Sequence, residues 1–97
     1  MELYLNENEA VEDIKGTLKD ITNDFDIYVR GRDFSGGIKK KVTFIVVVLP
    51  SFGEAVFNAF VKAYASTNKK MNIVRSDTFL DNAKRKEDFY LECNVKC

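Results

Sequence analysis

The sequence predicts an α+β fold: a two-layer sandwich in which a mainly antiparallel sheet of four or five strands carries two helices on one face. Three observations carry this prediction. Two stretches place apolar residues at helical spacing. The stretches 25–30 and 89–97 alternate apolar and polar residues in the manner of half-buried strands. The elements follow one another as (β)αββαββ, an order that fits one sheet covered by one helical layer. With 97 residues, 45% hydrophobic and 31% charged, the chain reads as one globular domain over 1–97, large enough to build a core without disulfides.

The elements follow in order. Residues 2–5, ELYL, alternate weakly and are a candidate first strand. Asn6 and Glu9 give N-x-x-E, the pattern of a capping box. Val11, Ile14, Leu18 and Ile21 then fall on one stripe, which predicts a helix over 7–22. Gly16 lies opposite that stripe and costs about 1 kcal/mol against alanine. Phe25, Ile27 and Val29 alternate with Asp26, Tyr28 and Arg30. Residues 33–37 carry turn chemistry, with Gly36 and Gly37 free to take positive φ. The run 38–49 contains VTFIVVVL, apolar on both faces, as expected of a central strand or one covered on both sides. The lysines before it and Pro50 after it guard an aggregation-prone segment.

Pro50 is expected to end that strand. Ser51 and Glu54 give S-x-x-E, a second capping box. The helix that follows has Val56, Phe57, Phe60, Val61 and Tyr64 on its buried face and alanines beside them, an apolar arc wider than one sheet needs. Residues 68–70 close it. Residues 71–76 read as a strand and 77–88 as a loop, with extension of the strands at either end left open. Residues 89–97 form the last strand. The order resembles the split βαβ, ferredoxin-like plan with an added strand. That likeness is architectural, and such a plan hosts many functions.

Several chemistries find little support. Without histidine, neither a Ser-His or Cys-His pair nor an imidazole metal ligand exists. Cys93 and Cys97 share a strand, so their Cα atoms lie roughly 13 Å apart at about 3.3 Å per residue, too far to pair. Free thiols suggest a cytoplasmic setting. The start MELYLNENE lacks the basic region of a signal peptide, and no apolar run is long enough to span a bilayer. The Gly31–Gly36 stretch matches no nucleotide-binding pattern in its context. Asp77, Asp81, Glu87 and Asp88 are acids that could hold Mg²⁺ but read more simply as surface charge. The start of the second helix is an anion site only if Glu54 leaves its N–H groups unused. No cofactor, no metal and no catalytic set is therefore expected.

Two charged surfaces are the candidate sites. The formal charge is zero, yet residues 1–38 hold four basic and nine acidic side chains, and residues 39–97 eleven and six. This asymmetry suggests faces of opposite potential. The first candidate is the hairpin 30–41. Arg30, Arg32, Lys39, Lys40 and Lys41 bracket a turn with Phe34 at its tip, a shape suited to a phosphate backbone and a stacked base. Lys69, Lys70, Lys84, Arg85 and Lys86 would add to its field if they shared a face. Asp33 in the tip and a pI near 6.3 weigh against it. The second is the acidic helix, with Glu9, Glu12, Asp13 and Asp20, suited to a basic groove on a larger protein.

The expected function is that of a small non-enzymatic binding protein, an inhibitor or adaptor acting on a larger protein partner. A nucleic-acid-binding module using the hairpin is the alternative. The lysine- and asparagine-rich composition, with eleven lysines to four arginines, suggests AT-rich coding. Together with the small size it points to a phage or mobile element, where inhibitors such as anti-CRISPR proteins occur. A homodimer through the second helix or an exposed strand edge is also expected. No membrane partner is expected.

Overall fold

The structure, a computed structural model, describes residues 3–34, 37–64, 70–81 and 84–97. The elements are β1 (Leu3–Tyr4), α1 (Glu7–Leu18), β2 (Phe25–Asp33), β3 (Lys39–Val48), α2 (Pro50–Tyr64), β4 (Met71–Asp81) and β5 (Lys84–Lys96). One sheet runs β1-β5-β3-β2, and β4 also pairs with β5. Since β3 occupies one side of β5, β1 and β4 share the other side end to end. β4 reaches Cys93, and β1 takes Asn94 and Val95.

The sheet is mixed: the two-residue β1 runs parallel to β5, while the β2–β3, β3–β5 and β4–β5 ladders are antiparallel. Residues 3–4 do join it. β3 and β4 both oppose β5, so they run in one direction with β5 between them and α2 as their crossover. The central place beside β3 goes to the last strand, and the first strand is left with two edge pairs.

Local chemistry explains the ends of the helices. Asn6 caps α1, accepting from the Glu9 N–H at 2.8 Å, and Glu9 reaches back to the Leu5 N–H at 3.2 Å. The helix stops at Leu18, short of the expected residue 22. The N–H groups of Ile21 and Thr22 both turn back to the Leu18 carbonyl, which closes the last turn. Nothing approaches Gly16 within 4 Å, so its position is simply exposed. The capping box expected at Ser51 does not form, because α2 already begins at Pro50. Proline is suited to the first helical position, where its missing N–H has no partner to lose and its φ is already helical.

The first turn of α2 has no acid of its own. One arrives from β5 instead. A Cβ at Gly53 would overlap the carboxylate of Glu87, so that carboxylate rests directly on the start of α2, where the helix dipole favours it. Glycine leaves room for this close approach, and its φ is not in the left-handed region.

The expected loop 77–88 is largely strand. β4 and β5 form one long hairpin whose ladder closes at Asp81↔Lys84. Polar composition concealed it, because a two-stranded ribbon extending past the helices needs little apolar burial.

The core lies between the sheet and the two helices. Val42, Phe44, Val46 and Val48 of β3 and Phe89, Leu91, Cys93 and Val95 of β5 point into it. Ile14 and Leu18 of α1 and Val56 and Phe60 of α2 close it from above. Phe60 meets Phe89 edge-on at 5.8 Å and stacks on Tyr64 at 5.8 Å. On the opposite face of β3, Thr43 and Ile45 are half-buried and Val47 is buried. The expected double-sided burial of this strand is therefore met in graded form. On α2, Phe60 is fully covered, while Phe57 and Val61 remain about 40% exposed.

Candidate partner-binding surface

The hairpin 30–41 is built by β2 and β3, whose pairing ends at Asp33↔Lys41. Phe34 follows. Gly37 then takes φ +74°, a conformation that carries a side-chain penalty for other residues. Its N–H donates to the Phe34 carbonyl at 3.5 Å. Ile38 leads into β3, and its carbonyl accepts from the Cys97 N–H at 3.1 Å. Gly36 and Ser35 lie outside the described residues.

Strand alternation divides the basic residues between two faces. Lys40 stands opposite Val95 and points to the helix side, whereas Lys39 and Lys41 point to the open side. A bulge between Val29 and Gly31 turns Arg32 to the helix side, while Arg30 lies over the Tyr90 ring at 5.2 Å on the open side. The run KKK is thus no single patch.

On the helix side the basic hairpin meets the acidic helix. Arg32 grips Glu7 with two bonds, Nε at 2.6 Å and Nη2 at 2.7 Å, and Lys40 Nζ approaches the same carboxylate at 2.7 Å. The hydrogen bonds from Arg32 outweigh the opposing effect of burial and, with the further help of Lys40, hold the Glu7 carboxyl down at about 2. Lys40 also lies 5.7 Å from the Phe34 ring. On the open side Lys41 lies 3.6 Å from Glu92. Lys40 thus joins the basic half of the sequence to Glu7 of the acidic half, while Arg32–Glu7 and Lys41–Glu92 are pairs within one half.

The acidic candidates divide as well. Glu9 serves the cap of α1 and lies 3.6 Å from Lys70. Asp13 accepts from the buried Tyr4 hydroxyl, whose proton is held by burial and by that carboxylate, and Lys70 sits over the same ring. Glu12 pairs loosely with Lys15 at 3.7 Å. Asp20 is exposed in the turn after α1. Glu12 and Asp20 therefore remain a solvent face, and Glu9 and Asp13 are tied to the fold. Of the additional cations, Lys69 and the side chain of Lys84 lie outside the described residues, as do the side chains of Asp77 and Asp81.

An apolar tip is left over. Phe34 is 60% exposed and Ile38 78%. Leu5 is also exposed at this end of the molecule, because Tyr4 and Lys40 flank the same residue, Val95, from opposite sides. Lys39 stands opposite Lys96, both exposed, and has no acid partner among the described residues. The surface is thus an apolar knob with a positive margin. Sequence reasoning singled out Phe34 but missed Ile38 and Leu5. Their signal was available as large apolar residues beside a glycine turn and a helix cap. It also missed Glu7, whose role depends on the bulge.

Both cysteines are free, Cys93 buried and Cys97 exposed. Burial pushes the Cys93 thiol up to about 12, so it stays protonated and unreactive at neutral pH. No helix of the described residues is long and apolar enough to cross a membrane. Comparison with family models, curated proteins and solved structures finds no match.

Proposed function

We propose that this chain is a small non-enzymatic binding protein that works through protein–protein contacts, as an inhibitor or adaptor. The observation that carries the reading is the balance within the hairpin. Arg32, Lys40 and Lys41 all have carboxylate neighbours, while Phe34 and Ile38 project into solvent. Cations already neutralised release little from a phosphate backbone. Exposed aromatic and aliphatic anchors are what a pocket on a protein partner recognises. The positive margin at Lys39 and Lys96 favours a partner whose pocket has acidic surroundings. Size and composition agree with an inhibitor carried by a phage or mobile element, anti-CRISPR-like inhibitors among them. A cytoplasmic setting accords with the free thiols. We also read the fold as a variant of the split βαβ plan, supported by the β3-α2-β4 crossover around β5.

A second reading has its own observation. On the open sheet face Tyr28 is 54% exposed and Arg30 lies over Tyr90, side chains on which unpaired bases stack. Titration against labelled single- and double-stranded RNA and DNA at low and physiological salt separates the two. The protein-binding reading expects no binding at low salt, together with partners captured from host extract by the native chain and lost with Phe34→Ser/Ile38→Ser. Tight nucleic-acid binding with a steep salt slope would replace it with the second.

A further inference from the structure

β2 ends the sheet. It pairs with β3 on one side, and no strand lies along its other edge among the described residues. An edge of nine residues is a template for a further strand. The sequence of this edge is complementary to itself. Asp26, Tyr28 and Arg30 share the open face, since Asp26 and Tyr28 pair with Val47 and Ile45 and Arg30 lies over Tyr90. Ile27 and Val29 share the helix face.

We infer that β2 is the interface of a homodimer, in which two copies pair antiparallel along this edge about a two-fold axis at Tyr28. That register sets Asp26 opposite Arg30 of the second copy, twice, with the two Tyr28 rings side by side between them; each Arg30, at the bulge, exchanges the Tyr90 ring of its own copy for the partner copy's Asp26. On the other face it sets Ile27 opposite Val29, also twice. Centring the pairing on Ile27 or Val29 instead separates Asp26 from Arg30. A two-fold interface must be self-complementary in this way, and cross-strand ion pairs and apolar pairs are what fix strand register.

Coverage of the helix face supports the same occupant. α1 reaches β2 through the Arg32–Glu7 pair, but the helical layer covers the middle of this strand only in part. Val29 is 38% exposed and Ile27 half-buried, although both lie on the core side. A second copy would cover them. It would also join the two sheets into one, with Tyr28, Arg30 and Tyr90 of both copies along a common open face. The dimer uses β2 and leaves the hairpin tip free, so it stands independently of the partner-binding reading.

Sedimentation equilibrium of the native chain over a wide concentration range is the test, with charge exchange as its arbiter. A dimer that dissociates on dilution is expected. Asp26→Arg and Arg30→Asp each place like charges opposite one another at both symmetry-related positions and should weaken it roughly 30-fold. The double variant Asp26→Arg/Arg30→Asp restores both pairs and should restore the dimer. In a Cys97→Ser background, Tyr28→Cys should form an intermolecular disulfide on mild oxidation, because residues facing each other across a dyad lie about 4.5–5.5 Å apart. Asp26→Cys should not. A native chain that stays monomeric at high concentration would overturn the inference. So would a dimer unaffected by either single change, a double variant that fails to re-form it, or a faster disulfide from Asp26→Cys than from Tyr28→Cys.

Discussion

Glu7→Gln tests the clamp that joins the hairpin to α1. The carboxylate receives two bonds from Arg32 and one from Lys40. Its pKa falls from the ordinary 4.5 to about 2. At about 1.4 kcal/mol per pKa unit, the whole drop corresponds to about 3 kcal/mol. The Arg32 side chain is 43% exposed, so water and salt screen part of it, and about 1–2 kcal/mol is expected to remain. Glutamine keeps the shape and loses the charge. At pH 7 the variant should unfold in urea with that much less stability, about 4–8 °C in Tm for each kcal/mol. The folded-state pKa is depressed, so the advantage of the native chain is complete above 4.5 and is lost as pH falls through about 2. The difference between the two proteins should therefore close across that window. Equal stability at pH 7, or a gap that persists undiminished at pH 2, would refute the reasoning.

Gly53→Ala should be almost neutral in the native chain, since a helix gain of about 1 kcal/mol is offset by displacement of the Glu87 carboxylate. In a Glu87→Ala background the same change should stabilise by most of that 1 kcal/mol, and additive urea midpoints would contradict the close approach. Thiol titration of the native protein should modify Cys97 rapidly and Cys93 only after unfolding, given their exposed and buried positions; equal rates would disprove the burial. Phe89→Ala, which removes a fully buried ring from contact with Phe57 and Phe60, should cost about 3–5 kcal/mol. Phe34→Ser and Ile38→Ser should each change stability by less than about 0.5 kcal/mol, measured by thermal melting, because both side chains stand in solvent.

Much of this fold is legible in local patterns. The alternation of Phe89, Leu91, Cys93 and Val95 marks a strand with one buried face, and burial follows it residue by residue. The stripe of Ile14 and Leu18 marks the buried face of α1, and N-x-x-E marks its start. Less legible are features whose signal lies outside the segment itself. Thr78 to Asp81 and Lys84 to Lys86 look like parts of a loop because their composition is polar, yet they form strands because each supplies the other's hydrogen bonds. Ser51 has the right neighbours for a cap, but Pro50 begins the helix first. In the candidate site, Phe34 could be chosen from sequence. The separation of Lys40 from Lys39 and Lys41 follows from alternation, but which side faces the helices does not.

By itself the sequence determines which residues form helices and strands at the strongly periodic segments, because 3.6-residue and two-residue spacings select one buried face for each. It also determines that the catalytic pairs built on histidine are missing. Tertiary structure alone decides that β5, not the first strand, lies beside β3, since pairing between distant segments leaves no periodic trace in either. It decides too that Lys40 of the basic half and Arg32 of the acidic half converge on Glu7. One bulge after Val29 turns Arg32 toward α1, and a charge takes its meaning from the group that the fold brings within bonding distance.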